Sequence, residues 1–123
     1  MKALTIREPY ATLVAKGIKK YEFRSWNTHY RGDLYIHAAK GIYSEIKNYS
    51  YQFRPGEIVA IATLSNVIKL NHKSGTKIHQ ENPKIYDVHS DGFAWVLENI
   101  RPINESPVIN GQLGLWNYEL PKN

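Results

Sequence analysis

Residues 17–24 read GIKKYEFR, and within this stretch the hydrophobic pattern changes from that of a helix to that of a strand. Tyr21 and Phe23 alternate with polar residues, so they point to one side of a predicted strand, which we assign to the core. The opposite side of the strand carries Lys20, Glu22 and Arg24. Lys19 has the wrong parity for this polar side, and we expect it to join that side only if it lies at the bend before the strand.

A short helix is predicted immediately before this strand. Tyr10, Leu13 and Val14 are spaced so that they share one face of a helix from about Pro9 to Lys16. Proline is tolerated in the first turn of a helix. Gly17 stands where a left-handed C-terminal cap is favoured, so the helix is expected to end there.

Short strands dominate the rest of the chain. Period-two or continuous apolar runs predict further strands at Lys2–Ile6, Gly32–Ala39, Ile58–Leu64 with a continuation to Leu70 after a bend, Phe93–Ile100 and Leu113–Leu120. A weak helix is predicted over Ile42–Tyr49. The polar segment Asn71–Gly92 lacks a clear period, and we interpret it as a long loop that forms a flap or a disordered excursion. Five or six short strands with two helices indicate a small barrel.

Length and composition favour one compact domain. The 123 residues, 42% of them hydrophobic, are enough for a single core but not for two. No apolar run is long enough for a membrane helix or a signal peptide, so we expect a cytoplasmic protein without membrane association. The chain has no cysteine, and His72, His79 and His89 match no metal-ligand spacing. We therefore predict surface histidines, no metal and no cofactor.

The positive charge is concentrated in one part of the chain. The formal net charge is +5, and six basic and two acidic residues between Lys16 and Lys40 leave +4 in this stretch alone. Five aromatic residues lie among these charges, a combination that suits phosphates and stacked bases. Charge and aromatics alone leave a second interpretation open, in which a solvated basic face covers core aromatics. Trp95 and Trp116 lie in predicted strands, and we assign both to the core.

The motif G-x-K-x-x-E-x-R in residues 17–24 resembles the signature of ASCH domains, a family named for homology to a transcriptional coactivator. Four other segments resemble the family in the same order. These are Leu4 to Ala11, Tyr30 to Ala38, and the pair of segments Phe93 to Glu98 and Leu113 to Trp116. The resemblance covers almost the whole chain as a single domain, residues 1–123. It implies a PUA-like twisted β-barrel of five to six strands with two or three short helices, which is a mostly β fold with flanking helices.

The resemblance also implies a cleft beside the helix-to-strand junction that takes RNA or a nucleotide. Lys and Arg side chains there would contact phosphates, the ring of Trp26 or Tyr30 would stack on a base, and Glu22 would accept hydrogen bonds from a base amino group. The alternative for Glu22 and Arg24 is an ordinary ion pair on the strand face. The predicted ligand-binding residues are Arg7, Tyr10, Lys19, Glu22, Arg24, Trp26, Tyr30, Arg31, His37 and Lys40. Of these, Arg31, His37 and Lys40 would extend the positive rim of the cleft, and alternation along its strand puts His37 on a polar face.

Enzymatic activity is left open. Resemblance to some bacterial ASCH proteins implies hydrolysis of the amide in N4-acetylcytidine, a reaction in which the motif lysine activates a threonine. In this sequence Glu22 occupies the position of that threonine. A hydrolase would instead use Lys19 and Glu22 as the catalytic pair, with Glu22 as general base on a water. A ribonuclease using Lys19 with Tyr30 or His37 and a protein-interaction module are further alternatives. We predict a monomer or weak dimer.

Overall fold

The structure, a computed structural model, describes residues 1–41 and 49–121. Within these residues the chain forms six strands and two helices. In chain order they are β1 (Lys2–Ile6), α1 (Tyr10–Ala15), β2 (Tyr21–Arg24), β3 (Gly32–Ala38), β4 (Ile58–Lys69), α2 (His72–Glu81), β5 (Phe93–Pro102) and β6 (Leu115–Asn117).

All six strands belong to one sheet, in the order β2-β5-β4-β3-β1-β6. Neighbouring strands are antiparallel except β1 and β3, which are parallel. The long strand β4 shifts its register twice against β5, and such irregularities bend a strand and increase its twist. The sheet curls into a half-barrel, which confirms the predicted mostly β fold with flanking helices and agrees with a PUA-like barrel.

The main core lies between this sheet and α1, which packs against β3, β4 and β5. Leu4, Val14, Ile36 and Trp95 are completely or almost completely buried there. Trp116 is buried in a smaller cluster beside β6, so both tryptophans assigned to the core are in it. Burial of this apolar surface is the main favourable term for the fold.

The second helix differs from the sequence prediction. Its ten residues lie in the segment that was interpreted as a loop. Asn71 caps α2 with a reciprocal pair of hydrogen bonds: its side chain accepts from the Ser74 amide, and the Ser74 hydroxyl accepts from the Asn71 amide, each at 2.9 Å. Ile78 is the main apolar anchor of the helix and packs in a cluster with Leu70 and Tyr86. One apolar anchor gives almost no periodicity in the sequence, so tertiary packing decides this helix.

Several strand boundaries also differ from the predicted ones. β4 is one continuous strand of twelve residues, and its register shifts take the place of the expected bend. β6 has three residues instead of the predicted eight, because Leu113 is fully exposed and Gly114 has a φ of 68°. The helix predicted over Ile42–Tyr49 lies almost entirely outside the described residues, which resume at residue 49.

Candidate functional site

The site begins where α1 ends. Gly17 adopts a φ of 75°, as a left-handed cap requires, and its amide donates to the Val14 carbonyl at 2.9 Å. The amides of Ile18 and Lys19 both donate to the Leu13 carbonyl. This arrangement satisfies the terminal helix carbonyls and turns the chain sharply into β2. Lys19 therefore lies at the bend before the strand, the position that the parity argument required.

Lys19 is a buried charge with several partners. Its residue is 3% exposed, and its Nζ atom donates to Glu22 Oε1 at 2.9 Å and to the carbonyl of Tyr21. The ammonium also lies 5.6 Å from the ring centroids of both Tyr10 and Phe23. A lysine is almost never this buried without a partner, and here a carboxylate, a carbonyl and two aromatic faces replace water.

Glu22 and Arg24 complete the group from the polar side of β2. Arg24 Nη2 lies 3.1 Å from Glu22 Oε2 and donates to the carbonyl of Thr5 at 2.6 Å. Each oxygen of the Glu22 carboxylate thus faces a different cation. Arg24 Nε is buried and has no hydrogen-bond acceptor among the described residues. The guanidinium therefore has donors beyond those that the protein engages.

These side chains line a cavity of about 500 Å³. Five predicted ligand-binding residues are among those brought together on its wall: Arg7, Tyr10, Lys19, Glu22 and Arg24. The other lining residues were not predicted: Thr5, Phe23, Ala39, Ile85, Asp87 and His89. A cavity of this size is in the usual range for a small-molecule or nucleotide site.

The segment after α2 supplies the part of the wall that the sequence analysis missed. His89 was assigned to the surface; it is exposed, yet its ring also lies on Phe23, with centroids 4.2 Å apart and an interplanar angle of 35°. Gly75 of α2 holds this segment close, because a Cβ atom there would lie 1.9 Å from the His89 carbonyl oxygen. The only signal in the sequence was the length of the Asn71–Gly92 segment, since long connections are often functional.

Comparison with known proteins places the chain in a family. The sequence matches the family model described as "ASCH domain" over residues 4–107. The chain belongs to the ASCH domain family. This is a family associated with RNA binding.

Two curated relatives match the chain over most of its length. They are Activating signal cointegrator 1 of Mus musculus and of Homo sapiens, each 23% identical over 128 residues. The aligned part covers 94% of this chain but 22% of each relative. The chain therefore spans about a fifth of the length of these relatives.

Two aromatic residues predicted to stack on a base do not line the cavity of this ASCH domain. The Trp26 ring packs edge-to-face on Trp95 with centroids 4.7 Å apart. The Tyr30 hydroxyl donates to the carbonyl of Asp33 at 2.5 Å. Both rings pack against the main core, which is where the alternative interpretation of the aromatics put them.

Three predicted basic rim residues also lie outside the cavity wall. Arg31 is exposed and donates to the carbonyls of Thr28 and Tyr30. Lys40 lines a neighbouring cavity. His37 is completely buried, and burial lowers the pKa of its imidazole. The prediction that His37 faces the polar side fails because β3 is covered on both faces, where strand parity does not indicate exposure.

The charges on the cavity wall are more balanced than the sequence suggests. Arg7, Lys19 and Arg24 are its cations, and Glu22 and Asp87 are its carboxylates, which leaves one net positive charge with the histidine neutral. The local excess of +4 is therefore not concentrated at this site. Such a wall suits a ligand with a polar, aromatic part and few phosphate charges.

Within residues 1–41 and 49–121, no cluster of three or more His, Asp or Glu side chains is arranged to hold a metal ion. In the same part of the chain, no helix is long and apolar enough to cross a membrane.

Proposed function

We propose that this ASCH domain binds RNA or a nucleotide in the cavity around Lys19, Glu22 and Arg24. One observation carries the proposal: two cations from the motif face the two oxygens of one buried carboxylate on the wall of a 500 Å³ cavity. Membership of a family associated with RNA binding supports it.

The wall offers a group for each part of a nucleotide. The rings of Tyr10, Phe23 and His89 line the cavity, and aromatic rings are the groups on which any base can stack. Each carboxylate oxygen of Glu22 has lone pairs beyond the one that its cation engages, so it can accept from a base amino group. Arg24 and Arg7 provide the donors that suit phosphate oxygens.

The test compares two arginines that differ in position. Binding of short single-stranded RNA is measured by fluorescence anisotropy for wild type, Arg24→Gln and Arg31→Gln, over a range of salt concentrations. We expect Arg24→Gln to weaken binding about tenfold and to lower the salt slope by about one. Arg31→Gln removes the same charge outside the cavity and should have a much smaller effect. Equal losses in the two variants would contradict the proposal.

A hydrolase is the second candidate, because Lys19 Nζ lies 2.9 Å from Glu22 Oε1 within the cavity. In such a reaction Glu22 would take a proton from water, the hydroxide would add to an amide carbonyl, and Lys19 would donate to the resulting oxyanion. The carbon–nitrogen bond would then break as the amine takes the proton back. Both oxygens of Glu22 already face cations, however, so the geometry favours a carboxylate that holds a ligand.

Turnover decides between the two candidates. The protein is incubated with N4-acetylcytidine and separately with RNA, and products are separated by chromatography. Binding of RNA without turnover of either substrate would support the binding function and not the hydrolase. Turnover that disappears in Glu22→Gln, a variant that keeps the size of the side chain, would establish the second.

A further inference from the structure

A second cavity lies directly beside the first. Its volume is about 530 Å³, and Thr5 and Ala39 line both cavities. The remaining lining residues are Lys40, Asn110, Gly111, Gln112 and Leu113. The two cavities therefore adjoin across one pair of residues at the ends of β1 and β3.

The two walls differ in chemistry. The first cavity contains two carboxylates, whereas the described lining of the second contains one cation, Lys40, and no acidic side chain. Lys40 is exposed, and its Nζ atom donates to Asn110 Oδ1 at 2.7 Å. An uncharged amide does not neutralise the ammonium, which keeps two more donors. Asn110 and Gln112 carry amide groups of the kind that pair with base edges.

The wall formed by residues 110–113 is held in place by close packing. A Cβ atom at Gly111 would lie 2.6 Å from Thr5 Oγ1, so a glycine is needed for this approach. The Ile109 amide donates to the Gly56 carbonyl at 2.8 Å, which fixes the start of the wall. Leu113 is fully exposed at its end and offers an apolar surface. The second cavity is thus a built part of the fold.

We propose that the two cavities bind consecutive nucleotides of one single-stranded RNA. One nucleotide occupies the first cavity, and the phosphate that leads to its neighbour lies beside Lys40 in the second. This inference rests on the proposed function and extends it, because it identifies an oligonucleotide rather than a mononucleotide as the ligand. Two observations carry it: Thr5 and Ala39 line both cavities, and Lys40 has no acidic partner among the described residues.

The experiment measures the affinity of each nucleoside monophosphate and of short homopolymeric RNA with the same base by isothermal titration calorimetry. We expect the oligonucleotide to bind more tightly than the monophosphate. Lys40→Gln should weaken the oligonucleotide about five- to tenfold more than the monophosphate, because a charged hydrogen bond to phosphate is lost. Lys20→Gln, a change at an exposed lysine outside both cavities, is the matched control and should leave both affinities unchanged.

The outcomes separate this inference from the proposed function. Monophosphate binding that is as tight as oligonucleotide binding would overturn the two-cavity inference and leave the proposed function standing. An equal effect of Lys40→Gln on both ligands would do the same. Absence of binding by every monophosphate and oligonucleotide would overturn both.

Discussion

Lys19 is a buried charged residue that depends on its neighbours for compensation. Its ammonium is buried against Glu22, and Glu22 is shared with Arg24, so the three side chains form one chain of charges. Removing one member of a buried pair leaves the other without compensation, which usually costs more than the pair contributes. The residues of the motif therefore stabilise one another as well as the cavity wall.

A double-mutant cycle tests this coupling. We expect Lys19→Met to lower the free energy of unfolding by about 2–4 kcal/mol, because Glu22 keeps only Arg24 as a partner. The double variant Lys19→Met/Glu22→Gln should recover part of that loss, since it no longer contains the carboxylate that has lost Lys19 as a partner. Urea denaturation of the wild type, Lys19→Met, Glu22→Gln and the double variant measures the coupling. Additive losses would show that the two side chains do not interact energetically.

The sequence could identify those site residues whose environment is set by nearby residues of the chain. Lys19, Glu22 and Arg24 follow from a glycine cap and strand parity, both of which are local. The surroundings of Trp26 and His37 depend on segments that are distant in the sequence, and no local pattern indicates those contacts. Local signals therefore predicted the motif, whereas the opposite cavity wall required the structure.

At the scale of elements, α2 decides the shape of the cavity although it has no residue on its wall. It carries the segment that contains Ile85, Asp87 and His89, and it approaches this segment through Gly75. A mostly polar helix with one strong apolar anchor has too few apolar residues to give a clear periodic run, so this segment resembles a loop in the sequence. The strands were predictable because their apolar residues form clear runs.

Gly75→Ala tests the role of α2. A Cβ atom 1.9 Å from the His89 carbonyl oxygen forces α2 and the cavity wall apart, so we expect a loss of about 1–3 kcal/mol in stability. Hydrogen exchange should increase in residues 72–92 more than in the sheet, and RNA binding should weaken. Lys73→Ala, at an exposed position of the same helix, is the control and should change neither the hydrogen exchange of residues 72–92 nor RNA binding. Unchanged exchange in Gly75→Ala would show that this packing does not hold the segment.

An ion pair joins the three central strands. Arg101 on β5 donates to both oxygens of Asp33 on β3, at 3.0 Å and 2.7 Å, and Thr63 on β4 donates to the same carboxylate at 2.7 Å. The hydrogen bonds from Arg101 and then Thr63 lower the pKa of Asp33 to about 2. Because the pKa is lower in the folded state, the stabilising effect is present above the ordinary value of 3.8 and is lost as the pH falls toward 2.

A pH titration of the carboxyl carbons by NMR checks this assignment. Asp33 should titrate at a pKa of about 2 in the wild type and closer to 3.8 in Arg101→Gln. Arg54→Gln, which removes an arginine paired with Glu57, is the control and should leave the Asp33 titration unchanged. An Asp33 carboxyl that titrates normally in the wild type would contradict the geometry.

At the scale of the whole molecule, one buried network connects distant parts of the chain. Carbonyl oxygens only accept hydrogen bonds, so His37 Nε2, which faces the carbonyls of Gly56 and Ile109 at 3.0 Å and 3.1 Å, carries the proton. His37 Nδ1 then accepts from the Thr5 hydroxyl at 3.1 Å, and that oxygen accepts from Trp116 Nε1. The network connects β1, β3, β6 and two loops through one neutral imidazole.

This network predicts how stability depends on pH. Burial lowers the pKa of His37 from the ordinary 6.5, so the unfolded chain binds more protons than the folded chain once the pH falls below 6.5. The contribution of His37 is complete above pH 6.5 and is lost as the pH falls toward the folded-state pKa. Each pH unit then costs at most about 1.4 kcal/mol for this one proton.

Urea unfolding followed by tryptophan fluorescence, between about pH 7.5 and 5 where histidines titrate, measures the effect. His37→Gln places an amide near the position of Nε2 and cannot be protonated, so the variant should be less stable at pH 7.5 but should lose less stability on acidification. His29→Gln changes an exposed histidine and should keep the wild-type slope. A His37→Gln profile as steep as that of the wild type would place the acid sensitivity elsewhere. A flattened profile would show that protonation of the His37 imidazole causes the acid sensitivity. A proton on Nδ1 would face the Thr5 hydroxyl, which donates to that nitrogen, so the contacts from Thr5 to Trp116 would weaken.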